Sequence, residues 1–592
     1  MLHGYAYCLY YLVFRGGVLV CVRILIPEAS GPDKSSSSLV KMLARNRGLT
    51  VGFVGGIVFT LLCLELVFYG DKTAVRSTTS ERQAQDFSTT LTTEQPAKSE
   101  TKQNMVTSVW SQKRHDFDIS KITSAEQMSI HVVDSKPVYQ VGDTLVVKII
   151  ARDANGQKKT YGGDFLLAKL CTKSPVKACS AGRITDRGNG VYIARFFLSW
   201  PGSLAISVRL GHSSETVEVL RRIRDSFLDR RVTKCSFVDE YANLTEWTHC
   251  SFSRNDSVNP RDICDYSRSI PNATWYCQRP TRVNGGCQAI TECNRDNPAT
   301  TKLHETMITT SEAALFNRSL ANREVPNDIR ITVKGKRIQD GIGMKPLPPC
   351  GPHLPARSSE GYWYNKTWYS LKCHPHRLHL SHLDYRCLRN KSIVVLGDST
   401  GRQYLEYLQH LVKNIKADLP EEIRKWERNH KSMKVDFVFH TFPRNHGEPA
   451  LEVKKLRFVA DEIDRIVGGP NVLLVLCFWA HYNAEPLETF RSRVWGIRHA
   501  LERLLSRYPD TKVVWRTGTM QDHIKLEHFL ENNSWYTSQL LQEAKQILGD
   551  LNIFIMDVWE MSVCDEPFYM LHPGPDIIKS HIEMMLSYLC SR

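Results

Sequence analysis

The sequence lacks the patterns that mark nucleic-acid-binding proteins. It contains no RNP, zinc-finger or basic-helix pattern, and its lysines and arginines are spread along the chain rather than clustered. Its formal net charge is nevertheless +15. We interpret this charge as a general attraction to acidic partners, such as anionic glycans or membrane surfaces, and we expect no nucleic-acid partner.

The cysteines lack the paired CxxC spacing of common zinc sites. Three of the 17 cysteines precede residue 70, which leaves 14 in the rest of the chain. An even number of cysteines favours disulfides in an oxidising compartment. We therefore predict a disulfide-bonded protein with no metal site, although the spacing leaves the connectivity of the disulfides open.

Long hydrophobic runs are scarce. Residues 49–70 form one run of the ~20 residues needed to cross a bilayer, and it contains one charge, Glu65. Basic residues precede this run, so the positive-inside rule places residues 1–48 in the cytosol and everything after residue 70 in the lumen or outside. An earlier apolar stretch, 5–26, is interrupted by two arginines and is either an interfacial segment or an upstream extension.

The chain after the predicted anchor divides into four parts by composition. Residues 71–125 are rich in Ser, Thr, Gln, Lys and Glu, which predicts a disordered stem. Residues 126–215 alternate in polarity between Gly-rich turns, which predicts an immunoglobulin-like β-sandwich. Residues 216–355 are rich in cysteine without clear periodicity, which predicts a disulfide-bonded, glycosylated connector. Residues 356–592 form the last part.

In the last part, predicted strands alternate with predicted helices. Such alternation predicts a parallel, doubly wound sheet, and sheets of this kind place their sites at the carboxyl ends of the strands. A first helix is expected from about Tyr404 onward. The strands are predicted over 392–396, 434–442, 472–478, 512–517 and 552–556, and three further helices over 487–508, 535–548 and 575–590.

The stretch KSIVVLGDSTGRQ, residues 391–403, places a serine where a strand passes into a helix. Ser399 is then exposed at the carboxyl edge of the sheet, near the positive end of the helix dipole, where backbone N–H groups can stabilise an oxyanion. The alternative is that Ser399 or Thr400 only caps the helix. His481 follows another strand and His572 precedes the last helix, so one edge offers a nucleophile and a base for acyl transfer.

The Gly397-Asp398-Ser399 block, the aromatic and cysteine-bearing approach to it and the histidine before the final helix resemble the PC-esterase branch of the SGNH hydrolase and O-acyltransferase superfamily. The preceding β-sandwich and cysteine-rich segment resemble neurexophilin. Together, the chain from Trp110 onward resembles the neurexophilin and PC-esterase domain family (NXPE). This implies a multidomain fold in which an immunoglobulin-like β-sandwich and a Cys-rich segment precede an SGNH-hydrolase-like, doubly wound α/β domain.

The resemblance implies roles for individual residues. Ser399 is expected to be the nucleophile, with its N–H in the oxyanion hole, and His572 the base. Arg402 suits an anionic substrate such as a sialate carboxylate and is otherwise an ordinary surface arginine, while a purely structural role is the alternative for His481. The full set of expected oxyanion or substrate contacts is Gly397, Asp398, Arg402, His481 and Asn483.

The last block departs from the family pattern. PC-esterases usually carry Asp-x-x-His there, and the residue three positions before His572 is Tyr569. A catalytic triad needs an acceptor on the far ring nitrogen of the histidine. Asp565, Asp557 or Asp576 could supply it, although Asp576 also fits an ordinary helix N-terminal charge.

Three functions remain open at this point. The first is a glycan O-acetyltransferase or esterase, acting on sialic acid as the resemblance implies, with no bound cofactor and an acyl donor such as acetyl-CoA as co-substrate. The second is an inactive neurexophilin-like protein that binds a protein partner through its β-sandwich. The third is a structural glycoprotein. The single predicted anchor implies a Golgi or other secretory-pathway membrane, or secretion after cleavage of the stem.

We predict that the chain beyond residue 70 is lumenal, because seven Asn-x-Ser/Thr sequons lie on that side and none precedes the anchor. In sealed microsomes, an endoglycosidase should act only after detergent is added, and a protease should leave the C-terminal region intact. Removal of the C-terminus by protease without detergent would contradict this topology. The sequons begin at Asn243, Asn255, Asn272, Asn317, Asn365, Asn390 and Asn532.

Overall fold

The computed structural model divides the chain into two compact units, residues 1–101 and residues 102–592. The predicted anchor and the stem up to residue 116 lie outside the described residues. In the part of the chain that the structure describes, no helix is long and apolar enough to cross a membrane. The described residues are 9–15, 18–24, 117–227, 229–252, 254, 257–267, 274–340, 346–377, 387–417, 433–440, 458–521, 523, 525–565 and 571–591.

The first unit contains a short hairpin within the apolar stretch 5–26. Strand β1 (Leu9–Arg15) pairs antiparallel with β2 (Val18–Ile24), with Leu9 opposite Ile24. This backbone pairing does not test whether the stretch associates with a membrane, so that association stays a prediction.

The larger unit begins with a β-rich part. Its strands are β3 (Ser129–Val132), β4 (Tyr139–Gln140), β5 (Thr144–Ile150), β6 (Phe165–Thr172), β7 (Ala178–Asp186), β8 (Val191–Phe197), β9 (Gly202–His212), β10 (Thr233–Asp239), β11 (Leu244–Ser251), β12 (Ile263–Asp265), β13 (Tyr276–Gln278), β14 (Ile290–Arg295), β15 (Arg323–Glu324), β16 (Arg330–Lys334), β17 (Gly361–Tyr364) and β18 (Thr367–Ser370). Its helices are α1 (Ser214–Ser226), α2 (Asn297–Met307) and α3 (Thr310–Ala314), with single 3₁₀ turns at Ile119–Lys121, Pro260–Asp262, Gly286–Ala289 and Ile338–Asp340.

One large sheet forms most of this part, in the order β3-β5-β8-β7-β6-β9-β16-β4. The first half of β7 pairs with β6 and its second half pairs with β8, so β7 joins the two halves of the sheet. The predicted alternation is present in β5, where Leu145, Val147 and Ile149 are fully buried. These side chains share one core with apolar residues of β6 and β9, so the sheet wraps around its own core.

The sheet extends beyond the predicted limits of the β-sandwich. Strand β16 comes from the predicted connector, and β17 comes from the predicted α/β domain and pairs with β7. The reason is aromatic burial: Tyr362 is fully buried and stacks on Trp200, with ring centroids 5.4 Å apart. The Trp363 indole N–H donates to the Met561 carbonyl at 2.9 Å, so the β-rich and α/β parts pack as one unit. At the other end, Ile122 of the predicted stem is buried.

Disulfides hold the predicted connector, as the sequence led us to expect. Its five-stranded sheet, in the order β12-β13-β11-β10-β14, carries three of them. Although the sulfurs of Cys235, Cys250 and Cys277 lie close together, each is in a disulfide and is not a free metal ligand. Cys477 and Cys564 lie outside the disulfides. The pairs are Cys171–Cys179, Cys235–Cys293, Cys250–Cys277, Cys264–Cys287, Cys350–Cys373 and Cys387–Cys590.

The described sequons differ in exposure. Asn532 is half-buried and its side-chain oxygen accepts hydrogen bonds from the Asn483 and Gln521 amides, which makes it a poor glycan carrier once the chain has folded. Asn255 and Asn272 lie outside the described residues. The exposed ones are Asn243, Asn317, Asn365 and Asn390.

The C-terminal part has the predicted alternation of strands and helices. The last helix has the predicted bounds, 575–590, and every predicted strand is present to within a few residues. The elements are β19 (Ser392–Gly397), α4 (Ser399–Ala417), β20 (Lys434–Phe439), α5 (Val459–Asp464), β21 (Val472–Cys477), a 3₁₀ turn (His481–Ala484), α6 (Leu487–Arg507), β22 (Lys512–Arg516), α7 (Leu526–Glu531), α8 (Ser534–Leu548), β23 (Phe554–Met556), α9 (Trp559–Val563) and α10 (Pro575–Cys590).

The five strands of this part form a parallel sheet in the order β20-β19-β21-β22-β23. Val475 packs on the face that carries α4 and α10, whereas Leu474 and Leu476 pack on the face that carries α5, α6 and α8. Helices therefore cover both faces, as a doubly wound sheet requires. After β19 the chain first adds β20 on one side and then β21 on the other, so the order of the strands reverses between β19 and β21. Ligand sites form at the carboxyl ends of strands at such a switch point.

Gly397 allows β19 and β21 to approach closely. A Cβ atom there would lie 2.1 Å from the Cys477 carbonyl oxygen. That oxygen also accepts a hydrogen bond from Asp398 N–H at 2.8 Å, so it cannot move away without loss of the bond. The glycine is needed for the strand pairing immediately before Ser399.

We expect Gly397→Ala to lower the free energy of unfolding by about 3 kcal/mol, because backbone atoms have to separate to admit the methyl group. Thermal unfolding of the purified protein measures this. Gly574→Ala is the control, since a Cβ there meets nothing within 4 Å. Its expected cost is at most about 1 kcal/mol, the difference between Gly and Ala at a helix N-cap. Equal costs for the two changes would contradict the role of close strand approach.

Candidate active site

A serine and a histidine meet at the carboxyl edge of the parallel sheet. Ser399 is the first residue of α4 and is separated from β19 by Asp398 alone, and His572 lies in the loop before α10. The Nε2 atom of His572 is 2.8 Å from Ser399 Oγ. The two side chains thus form the hydrogen-bonded pair that the sequence predicted on one rim of the sheet. This distance suits direct proton transfer.

The environment of His572 favours a neutral imidazole. Burial lowers the pKa of His572, nearby Asp398 opposes this shift and Arg402 adds to it. A base has to be unprotonated to accept a proton, so the lowered pKa keeps His572 competent at a more acidic pH. The Gln403 amide N–H donates to the Pro573 carbonyl at 3.1 Å and so ties the histidine loop to α4.

No carboxylate among the described residues makes a hydrogen bond or ion pair with His572. Asp557 accepts hydrogen bonds from Trp559 N–H and the Thr517 hydroxyl and pairs with Lys545, so it does not orient the histidine. Asp576 is exposed in the first turn of α10, which matches its alternative as a helix N-terminal charge. Asp565 is the last residue before a gap in the described chain, and Tyr569 lies in that gap.

Asp398 supports the serine turn from beneath and does not face a substrate, since its side chain is 0% exposed. Its Oδ1 accepts hydrogen bonds from the Thr400 N–H and hydroxyl at 2.9 and 2.5 Å. Its Oδ2 accepts from the N–H groups of Trp479 and Ala480, both at 3.1 Å. One carboxylate therefore joins the serine turn to the loop after β21, and the expected substrate contact at Asp398 is replaced by this role.

The charge on Asp398 persists although the group is buried. Burial by itself raises the pKa of the Asp398 carboxyl, but the neighbouring His481 and Arg516 lower it below its ordinary value overall. Arg516, the last residue of β22, is buried and donates to the Thr400 hydroxyl and to the Thr517 carbonyl. The sequence reasoning missed Arg516, even though its place at the carboxyl end of a predicted strand was the same signal that identified Ser399.

The loop after β21 carries two predicted site residues with different surroundings. The His481 ring lies beside those of Phe439 and His440, with ring centroids 5.7 and 5.2 Å away, and it influences the Asp398 charge, so it belongs to the rim. Asn483 is fully buried, and its side-chain N–H donates to the Thr537 hydroxyl at 3.0 Å and to Asn532. The Asn483 amide therefore holds the loop against neighbouring residues of the protein and does not make the expected substrate contact.

His440 is a further rim residue that the sequence reasoning missed. It directly follows β20, so it too could have been found from its strand end. It is buried against Phe478 and Tyr482, and its Nε2 has no hydrogen-bond partner in the described part of the chain. Burial lowers the pKa of His440 to about 4, so its ring is neutral near neutral pH.

Arg402 lies one helical turn from the serine, on the exposed face of α4. Its guanidinium pairs with Glu406 at 3.5 Å, an exposed contact worth little by itself. Both charges act on His572, since Arg402 lowers the pKa of the imidazole and Glu406 raises it. Arg402 is thus close enough to the site to attract an anionic substrate, and Glu406 partly offsets that charge.

These opposite charges give a signed prediction for the reactivity of Ser399. Ser399 loses reactivity when the pH falls far enough to protonate His572. Arg402→Gln removes a positive charge and raises the pKa of His572, so this loss should occur at a higher pH than in the wild type. Glu406→Gln removes a negative charge and lowers the pKa of His572, so the loss should occur at a lower pH. The rate at which a fluorophosphonate probe labels Ser399, measured against pH, reports both. Shifts in the same direction for the two variants would refute the assignment of His572 as the base.

Two family models match separate parts of the chain. Residues 101–317 match the model described as Neurexophilin. Residues 368–590 match the model described as NXPE family member 4-like, C-terminal domain, which contains Ser399 and His572.

A solved structure with some likeness is an active site mutant of a family two carbohydrate esterase from Clostridium thermocellum in complex with celluohexase. It is 8% identical, with a TM-score of 0.18, and the match covers 79% of this chain and 95% of that chain. A likeness this weak carries no inference. The two family models, in the order that the sequence predicted, do carry one: the chain belongs to the neurexophilin and PC-esterase domain family, the NXPE family.

Proposed function

We propose that this protein is an O-acyltransferase or esterase acting on glycans through an acyl-serine at Ser399. The observation that carries the proposal is the 2.8 Å hydrogen bond between Ser399 Oγ and His572 Nε2 at the switch point of the parallel sheet. A strand-to-helix turn that presents a serine beside a neutral histidine is the arrangement that acyl transfer needs. The α/β part then functions as an SGNH-hydrolase-like domain.

In the first half of the reaction, Ser399 Oγ attacks the carbonyl carbon of the acyl donor while His572 Nε2 takes the hydroxyl proton. Collapse of the tetrahedral intermediate breaks the bond to the leaving group, which receives that proton from His572. The acyl group is now an ester of Ser399. In the second half, His572 removes a proton from a sugar hydroxyl or from water, and the oxygen of that acceptor attacks the acyl carbon. The bond between the acyl carbon and Ser399 Oγ then breaks, and His572 returns the proton to Ser399 Oγ.

Backbone geometry supplies one donor for the developing oxyanion. The N–H groups of Thr400, Gly401 and Arg402 all donate to atoms of Asp398. The Ser399 N–H makes no hydrogen bond to any residue in the described ranges, and it lies at the positive end of the α4 dipole. This N–H is therefore the group that we assign to the oxyanion hole.

We infer the substrate from the positive charge of Arg402 and from the family to which the chain belongs. Arg402 on the rim suits an acidic sugar, and a sialic acid carboxylate is the ligand that we assign to it. The acyl donor is a co-substrate of the acetyl-CoA class, which supplies an acyl thioester and requires no resident cofactor. The proposed location is a Golgi or other secretory-pathway membrane, with a single anchor at 49–70, or the extracellular space after stem cleavage.

One observation favours a second function. His572 has no carboxylate partner among the described residues, and a histidine without an orienting acceptor is a weaker base. A catalytically inactive glycoprotein that binds a protein partner through its β-rich part, which matches the Neurexophilin model over residues 101–317, is the function that this observation supports.

Ser399→Ala separates the two functions. If acyl transfer uses an acyl-serine, turnover should fall on the order of 10³-fold or more, while folding, glycosylation and substrate binding should change little. The measurement is the O-acetyl content of cell-surface sialoglycans in cells that express wild type or variant at matched protein levels.

Ser506→Ala serves as the control, because this serine is exposed on α6 and its removal should leave acetylation at the wild-type level. Equal acetylation in wild type and Ser399→Ala, or none above background in either, would favour the inactive, partner-binding function.

A further inference from the structure

The loop that borders the serine site, residues 479–485, is held at two places. At its start, the N–H groups of Trp479 and Ala480 donate to the buried Asp398 carboxylate. At its end, the carbonyl oxygens of Asn483 and Glu485 both accept hydrogen bonds from one nitrogen, Nη2 of Arg230, at 2.5 and 2.8 Å. His481 lies between these two attachments.

Arg230 comes from a distant part of the sequence. It lies in the segment between α1 and β10, within the range that matches the Neurexophilin model, whereas the loop lies within the NXPE C-terminal match. The two residues that accept its hydrogen bonds lie 253 and 255 positions after it in the chain. The contact therefore links the two family modules directly at the wall of the site.

The Arg230 guanidinium is buried where it bonds to this loop. The residue is 1% exposed, its guanidinium lies 4.4 Å from the Tyr536 ring centroid, and burial lowers its pKa. Within the described residues its Nε and Nη1 atoms have no hydrogen-bond partner. A buried charge is costly unless it is bonded, so its bonds to the two loop carbonyls contribute strongly to keeping the loop in place.

A second link runs beside the first. Arg231 and Arg295, from the same module, both pair with Glu531 at the end of α7. The next residue, Asn532, accepts a hydrogen bond from the Asn483 side chain. The loop is thus fixed from the neurexophilin-like module through its carbonyls and, more indirectly, through an asparagine side chain.

We propose that Arg230 is a positioning residue for the Ser399 site, so that the neurexophilin-like module is a working part of that site rather than an independent module. The catalytic consequence rests on the proposed acyl transfer. Without Arg230, the carbonyls of Asn483 and Glu485 lose this donor, and the end of the loop loses its direct bonds to the neurexophilin-like module. The backbone bonds to Asp398, and with them the serine turn, then become less precisely placed.

The test compares two arginines of the same module in the full-length protein. Arg230→Gln removes the contact with the loop. Arg222→Gln is the control, because the Arg222 side chain is only 9% exposed but bonds to the Met307 carbonyl and Glu312 within its own module. Two readouts are taken: hydrogen exchange of the peptide that contains residues 479–485, and kcat and KM for acyl transfer per folded molecule.

In Arg230→Gln, the amides of Trp479 and Ala480 should exchange faster than in the wild type, and kcat should fall on the order of 10- to 100-fold with a smaller change in KM. Arg222→Gln should lower thermal stability but leave the loop exchange and kcat at wild-type values. Unchanged loop exchange in Arg230→Gln, an unchanged kcat despite faster exchange, or equal effects of the two variants would each overturn the proposal.

The exchange readout does not depend on catalysis. If wild type and Ser399→Ala prove equally inactive, the proposed function fails, and faster labelling of the loop in Arg230→Gln alone still supports the positioning role. If the wild type is active and the loop exchange is unchanged in Arg230→Gln, the positioning role fails and the proposed function stands.

Discussion

The buried carboxylate of Asp398 is the interaction on which the site depends. Its two oxygens bind the first turn of α4 on one side and the loop after β21 on the other, so the positions of the serine and of the loop are fixed together. The positive charge of nearby Arg516 partly offsets the negative charge of Asp398. Arg516 also donates a hydrogen bond to the Thr400 hydroxyl, which in turn donates to Asp398. A buried hydrogen-bonded network of this kind holds its members in place, whereas loss of one member leaves a charge or dipole unsatisfied.

Local sequence pattern was sufficient to predict much of the α/β part. Apolar runs of five or six residues between helical stretches predicted the parallel strands, and the apolar face of 575–590 predicted α10. Ser399 and His572 were predictable because the carboxyl ends of parallel strands converge on one edge, a geometric rule that needs no knowledge of contacts. The same rule would have identified His440 and Arg516, had every strand end been considered.

Long-range contacts were not predictable in this way. The pairing of β17 with β7 depends on aromatic packing between segments almost two hundred residues apart, and no local pattern in GYWY indicates its partner. Disulfide connectivity and the Arg230 contact are of the same kind, because each depends on which distant surfaces meet. Asp398 and Asn483 were assigned to the substrate because sequence does not reveal that a polar side chain near a site is turned into the protein.

The Cys387–Cys590 disulfide has a consequence for biosynthesis. Its two cysteines are 203 positions apart in the chain, and Cys590 is the last residue of α10. Cys387 therefore has no disulfide partner until the ribosome has made the whole α/β part. The β-rich sheet is also incomplete until β17 and β18 have been made. The protein is therefore a poor candidate for folding module by module during translation, and closure of this disulfide has to follow synthesis of the α/β part.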